Sequence, residues 1–180
     1  MSKDLCIVLI GAPCSGKSTI GKEVANRINA RYISSGNIAR KMAEMDSDIN
    51  DSLSAGKLAP ENEMRNAISY EITSTCNDVI ILDGFPRFDE QARWLYENFD
   101  MDIRYVAIET PLYTLVDRAR HRGRMDDSSF VDRYAYYIEV TRHDLYEHIE
   151  YKIDGSLSIN ECVELLMQYI GSIDIEEKEV

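Results

Sequence analysis

The sequence predicts an α/β protein built on a parallel sheet of about five strands flanked by helices, and three observations carry that class. Short apolar runs alternate with helical stretches along the chain, the order that winds a parallel sheet between helices. The first run, residues 5–10 (Leu-Cys-Ile-Val-Leu-Ile), is apolar at every position, as a strand covered on both faces must be. A glycine-punctuated segment follows it and leads straight into a helical stretch, the connection that such sheets use.

Taken in order, the strands are expected at residues 5–10, 31–33, 79–82, 105–108 and 151–153. Helices are expected over 18–29, 38–45, 61–75, 90–98, 111–120, 130–148 and 159–170. Thr110-Pro111 predicts a helix start, with the hydroxyl as N-cap and proline at the first helical position. Ser158 and Glu161 form a capping box, Gly171 is the expected C-cap, and residues 172–180 read as a frayed acidic tail. The polar, glycine-punctuated stretches 37–61 and 120–129 read as mobile insertions on one scaffold. With no repeat, low-complexity tract or linker, residues 1–180 are expected to form a single domain.

The chain has 180 residues and a formal net charge of −12, from 32 acidic and 20 basic side chains. That acidity argues against binding to nucleic-acid polymers. It is 44% hydrophobic, yet no apolar run approaches the ~20 residues that span a bilayer, so no membrane segment is expected. Residues 5–10 are too short for a secretory signal, and four scattered cysteines without a C-x-x-C pair suggest neither zinc nor a disulfide framework. A cytoplasmic location follows as the expectation. Against this background Arg118, Arg120, Arg122 and Arg124 form a basic pole, which like-charge repulsion disfavours unless an anion sits among them.

Residues 11–19, Gly-Ala-Pro-Cys-Ser-Gly-Lys-Ser-Thr, satisfy the G-x-x-x-x-G-K-[ST] pattern in the strand-loop-helix context its mechanism requires. Backbone N–H groups around Cys14, Ser15, Gly16 and Thr19 would turn inward on phosphate oxygens, with the helix dipole behind them. Lys17 would supply a cation to the β and γ phosphates. Ser18 would supply a hydroxyl to Mg²⁺, which Asp83, ending the third apolar strand, is placed to hold through water. This motif implies a bound nucleoside triphosphate and no more.

A second cluster narrows the function: Asp83-Gly84-Phe85-Pro86-Arg87 with Gln91 four residues on. Together with the phosphate loop it resembles the adenylate kinase family of nucleoside monophosphate kinases. Ser34-Ser35-Gly36-Asn37-Ile38-Ala39-Arg40 is similar to the start of that family's monophosphate-binding helices, and Gly56-Lys57-Leu58-Ala59-Pro60 to its G-x-hydrophobic-x-P turn. Residues 118–127 look like its lid segment, and Arg133 falls near its last arginine. The resemblance implies a P-loop kinase fold with a monophosphate-binding insertion over about 35–64 and a short lid over about 120–129.

It also implies roles. Arg40 and Arg87 would grip the acceptor phosphate, Arg118 and Arg122 would approach the ATP phosphates and base, and Arg124 and Arg133 would bridge the transferring group. Lys17, Arg87, Arg124 and Arg133 are then the catalytic set. Gly155 falls on the ATP side, and Ser35, Lys57, Leu58, Ala59, Gly84, Phe85 and Pro86 on the acceptor side. The implied reaction is direct, Mg²⁺-dependent transfer from ATP to a nucleoside monophosphate by a cytoplasmic monomer. Gln91 matches the adenine-reading position and favours AMP, whereas Ser35 and Asn37 depart toward pyrimidine-accepting relatives, so UMP/CMP and deoxy acceptors stay open. A nucleotide sensor or assembly protein on the same fold is the alternative of another class. Cys14 and Ser18 stand where glycine is common in the family.

Overall fold

The computed structural model describes residues 4–54, 58–121 and 128–176. The strands are β1 (Asp4–Ile10), β2 (Arg31–Ser34), β3 (Val79–Asp83), β4 (Met101–Glu109) and β5 (Ile149–Asp154), ordered β2-β3-β1-β4-β5 and parallel at every pairing. The expected class therefore stands, with β4 about twice the length that its apolar stretch suggested. β1 shows why the sheet is two-sided. Cys6, Val8 and Ile10 belong to one apolar cluster, while Leu5, Ile7 and Leu9 belong to another on the opposite face.

Helix α1 (Lys17–Ile28) follows the glycine-rich loop and packs against the second cluster together with α9 (Ile159–Glu176). Between β2 and β3 lie α2 (Ser35–Met45), α3 (Ser47–Ser54) and α4 (Glu61–Thr73), and α5 (Asp89–Asn98) follows β3. Ile38, Met64, Ile68, Ile72, Ala92 and Leu95 of α2, α4 and α5 close the first cluster. After β4 come α6 (Leu112–His121) and α7 (Ser128–Tyr136), joined by a small third cluster of Ala12, Leu115, Ala119 and Phe130. No helix among the described residues is long and apolar enough to cross a membrane.

Within the stretch 37–61 the helix expected over 38–45 is the body of α2, with Ser34 as N-cap accepting from Asn37 N, and α3 is a further helix that the sequence did not mark. Three expectations are corrected. The single helix expected over 130–148 is interrupted. After α7 a π turn (Tyr137–Arg142) widens the backbone, and α8 (His143–Leu145) and a 3₁₀ turn (Tyr146–His148) lead into β5. Ile138, Val140 and Thr141 are β-branched and stiff at χ1, which weakens a regular helix there. Gly171 does not cap α9, because Ile173 in the next turn is buried in the second cluster. Burying that side chain outweighs the ~1 kcal/mol helix penalty of glycine. Finally, α6 starts one residue later than expected, and the Thr110 hydroxyl donates instead to Ser15 O at 3.4 Å. The Ser158/Glu161 capping box is present as read: Ser158 N donates to Glu161 Oε2 at 3.0 Å and Glu161 N to Ser158 Oγ at 3.3 Å.

Candidate active site

The strand order places β1 between β3 and β4, so the chain leaves β1 at the point where the sheet changes direction of winding, and ligands of such sheets gather there. The loop that follows is shaped by main-chain demands. Gly16 has φ +101° and starts α1, and Cys14 has φ +67°, a left-handed conformation that costs a side-chain-bearing residue about 1–2 kcal/mol. A methyl on Gly11 would stand 2.8 Å from Ile108 O and from Ser15 Oγ. Ser15 is buried, and its Oγ has no hydrogen-bond partner among the described residues. An unpartnered hydroxyl at a helix entrance suits a phosphate oxygen.

Arg118 ties this loop to the rest of the fold. Its Nη1 donates to Ser15 O at 3.1 Å and its Nη2 to Gly155 O at 2.8 Å. Gly155 has no room for a side chain, since a Cβ there would lie 2.0 Å from Thr110 Oγ1. Both residues assigned to the ATP side thus meet behind the loop.

In front of the loop lies a cavity of about 390 Å³ between the ends of β1 and β3. Lys17, Arg87 and Arg133 converge on it, with Gly11, Leu58, Gly84, Pro86, Tyr136 and Tyr137 among its walls. Burial, together with the neighbouring Arg87 and Arg133, draws the Lys17 ammonium below its ordinary value, opposed by Asp83. Burial lowers Arg87 likewise, with Arg133 adding and Tyr136 and Asp83 opposing. Half-buried cations facing one cavity raise one another's electrostatic energy, which a phosphate anion would relieve.

Asp83 closes β3 beside Leu9 of β1 and Ser34 of β2. Its Oδ2 accepts from Ser18 Oγ at 2.6 Å and from Tyr32 OH at 2.6 Å. Burial and the adjacent carboxylate push the Tyr32 phenol up, so it stays a donor. The ring fits because residue 21 is glycine: a Cβ there would meet Leu9 at 2.7 Å and Tyr32 at 3.1 Å. Hydroxyl and carboxylate oxygens side by side are the hard donor set that suits Mg²⁺.

On the other side of the cavity, side chains fix the geometry. Gly84 (φ +78°) offers its carbonyl to Ser35 Oγ at 2.7 Å and to Arg87 Nε at 2.9 Å. Arg87 N donates to Gln91 Oε1 at 2.8 Å, and Gln91 Nε2 donates to Glu61 Oε2 at 2.8 Å. Arg65 joins Glu61 Oε1 at 2.5 Å and Glu90 at 2.9 Å, and lies over the Trp94 ring. Leu58 reaches the cavity, whereas Ala59 packs against the core and the Phe85 ring is buried in it, edge-on to Trp94. Phe85, assigned to the acceptor site, is thus a core side chain next to Pro86 and is not among the residues lining the cavity. Arg40 is exposed and bonded to Asn37. Thr19 is exposed beside Ser18 at the start of α1. Lys57, Arg122 and Arg124 lie outside the described residues.

Sequence reading missed three contributors. Tyr32 lies two residues before Ser34, so strand alternation puts it on the same face as Asp83. Glu61 directly follows the Pro60 turn, a position that only the tertiary pairing with Gln91 singles out. Tyr136 lines the cavity from α7, a position that no motif in the sequence marks.

The adenylate kinase family model matches residues 9–168. A mitochondrial GTP:AMP phosphotransferase of Drosophila melanogaster is 33% identical over 119 residues, 64% of this chain and 55% of that protein. The adenylate kinase of Mycoplasma mycoides subsp. mycoides SC is 32% identical over 99 residues, 53% of this chain and 46% of its own. That of Mycobacterium leprae (strain Br4923) is 31% identical over 134 residues, covering 69% and 74%. The chain spans about half the length of the Drosophila and Mycoplasma relatives. Because the matched span runs from the end of β1 through the phosphate loop and the Asp83 to Arg87 segment into α9, this chain belongs to the adenylate kinase family.

Proposed function

We propose that this protein is a nucleoside monophosphate kinase that transfers the terminal phosphoryl group of ATP to AMP, giving two ADP. The observation that carries the reading is the convergence of Lys17, Arg87 and Arg133 on one cavity, with the Ser18–Asp83 hydrogen bond joining the residues next to Lys17 and Gly84 of its wall. A monophosphate dianion is already a nucleophile, so the chain has to neutralise charge and align two phosphates rather than abstract a proton.

Each group then has a task. The phosphate loop and Lys17 hold the donor phosphates, and Ser15 Oγ gives them its unused hydroxyl. Arg118 fixes the Ser15 carbonyl and so braces the loop from behind. Arg87 orients the acceptor phosphate, and Arg133 with Arg124 neutralises the group in transit. Ser18 and Asp83 would hold Mg²⁺, which supplies charge neutralisation between phosphate oxygens when bound. Helices α2 to α4 would form the monophosphate-binding insertion, and residues 120–129 the lid that keeps water from the phosphoryl group.

A coupled assay with ATP or GTP as donor and AMP, UMP, CMP, GMP or dTMP as acceptor tests this. The fastest ADP formation is expected with ATP and AMP. A pyrimidine acceptor turning over faster would overturn the base assignment, and nucleotide binding without turnover on any acceptor would make the protein a sensor.

A further inference from the structure

We infer that Ser35 is a positioning residue for the transfer: its hydroxyl holds the Gly84 carbonyl that anchors the Arg87 guanidinium, and it acts on the acceptor phosphate through Arg87 rather than by touching the nucleotide. This deepens the proposed function and rests on its reading that Arg87 orients the acceptor phosphate.

An arginine stem is long and rich in rotamers, so a guanidinium that must meet a phosphate at a set angle has to be held short of its fork. Arg87, which lines the cavity with Lys17 and Arg133, is held in that way: its Nε donates to Gly84 O at 2.9 Å. This bond spends Nε and not the two Nη groups, whose spacing suits two phosphate oxygens.

The anchor is only as steady as the carbonyl. Gly84 has φ +78° and belongs to the residue type with the widest backbone freedom, so its carbonyl needs an outside hold. Arg87 is the group to be placed and cannot also be that hold. Ser35 provides it, since its Oγ donates to the same oxygen at 2.7 Å. The approach depends on glycine, because a Cβ at residue 84 would stand 2.6 Å from Ser35 Oγ.

A hydroxyl has one proton, and Ser35 has spent it on this carbonyl. Ser35 is also 3% exposed and is not among the residues lining the cavity, so its effect on the acceptor passes through Gly84. It is the first residue of α2, directly after the Ser34 cap. The same bond therefore seats the leading helix of the α2 to α4 stretch against the Arg87 loop.

The test is a double-mutant cycle: kcat/KM for AMP at saturating ATP with the wild type, Ser35→Ala, Arg87→Ala and the double variant, alongside Tm. Ser35→Ala should lower kcat/KM about tenfold when Arg87 is present, the scale of one lost hydrogen bond and a slightly misplaced group. With Arg87 already alanine, the same change should cost no more than about twofold. Lost stability alone does not produce that pattern, since it would act in both backgrounds. An equal loss in both would overturn the inference, because Ser35 would then act independently of Arg87. A Ser35→Ala rate within about twofold of wild type, with Arg87→Ala slowed at least about 10²-fold, would overturn it too and leave the role of Arg87 standing. Near-normal turnover in Arg87→Ala would instead remove the reading on which the inference rests, and the inference with it.

Discussion

Behind the phosphate loop, the acceptors that fix the geometry are main-chain carbonyls: Ser15 O receives Arg118 and Thr110, and Gly155 O receives Arg118. Across the cavity the Glu61, Gln91, Arg65 and Glu90 network does the corresponding work largely with side chains. Main-chain groups are the same whatever the residue, so the phosphate-loop side is insensitive to most substitutions and sensitive to steric ones. The Gln91 side is the reverse, and its hydrogen bonding is open to change one side chain at a time.

Substitutions separate these two modes. Arg87→Ala should lower kcat about 10²-fold or more, as for one preorganised charge-stabilising donor, measured with ATP and AMP at saturation. Near-normal turnover would remove Arg87 from the reaction. Gly155→Ala should destabilise the fold by about 1–3 kcal/mol in urea titration, because the new methyl collides with Thr110. Gly171→Ala, with nothing within 4 Å of the new methyl in the middle of α9, should instead stabilise by about 0.5–1 kcal/mol. Equal effects at the two glycines would refute the steric account. Tyr32→Phe should cost about 1.5 kcal/mol in the same titration, a hydrogen bond to a carboxylate lost with the ring retained.

The smallest effect concerns pH. Hydrogen bonds from Ser158 hold the Glu161 carboxyl below its ordinary range. Its folded pKa lies below its unfolded one, so its contribution is present above the unfolded pKa and is lost as pH falls through the folded value. Ser158→Ala should flatten that acid limb of the stability profile, and an unaltered limb would show that the capping box does not hold the charge.

What the sequence made legible was local. The apolar run 5–10, the loop pattern at 11–19 and the Ser158/Glu161 box each state their structure within a few residues. What it hid was decided by distant partners. Whether α9 stops at Gly171 depends on Ile173 finding the second cluster, and the Thr110 hydroxyl prefers a carbonyl 95 positions away to its own helix. The roles of Arg118 and Tyr32 depend on which strands are neighbours. The π turn after Tyr136 has no marker beyond a few β-branched residues, although it lets Tyr137 and Thr141 join Tyr136 at the cavity.

β1 is apolar on both faces, so polarity alone gives it little means of telling one alignment with its neighbours from another. Sliding β3 by two residues would exchange hydrophobes for hydrophobes and expose nothing. It would, however, carry the Asp83 carboxylate from beside Leu9 to beside Ile7, away from Ser18 Oγ and Tyr32 OH. An unpaired carboxylate in the interior costs about 3–5 kcal/mol. The carboxylate that we propose as a Mg²⁺ ligand is therefore also a registration mark for folding, and replacing Asp83 by a hydrophobe would free the sheet to misalign.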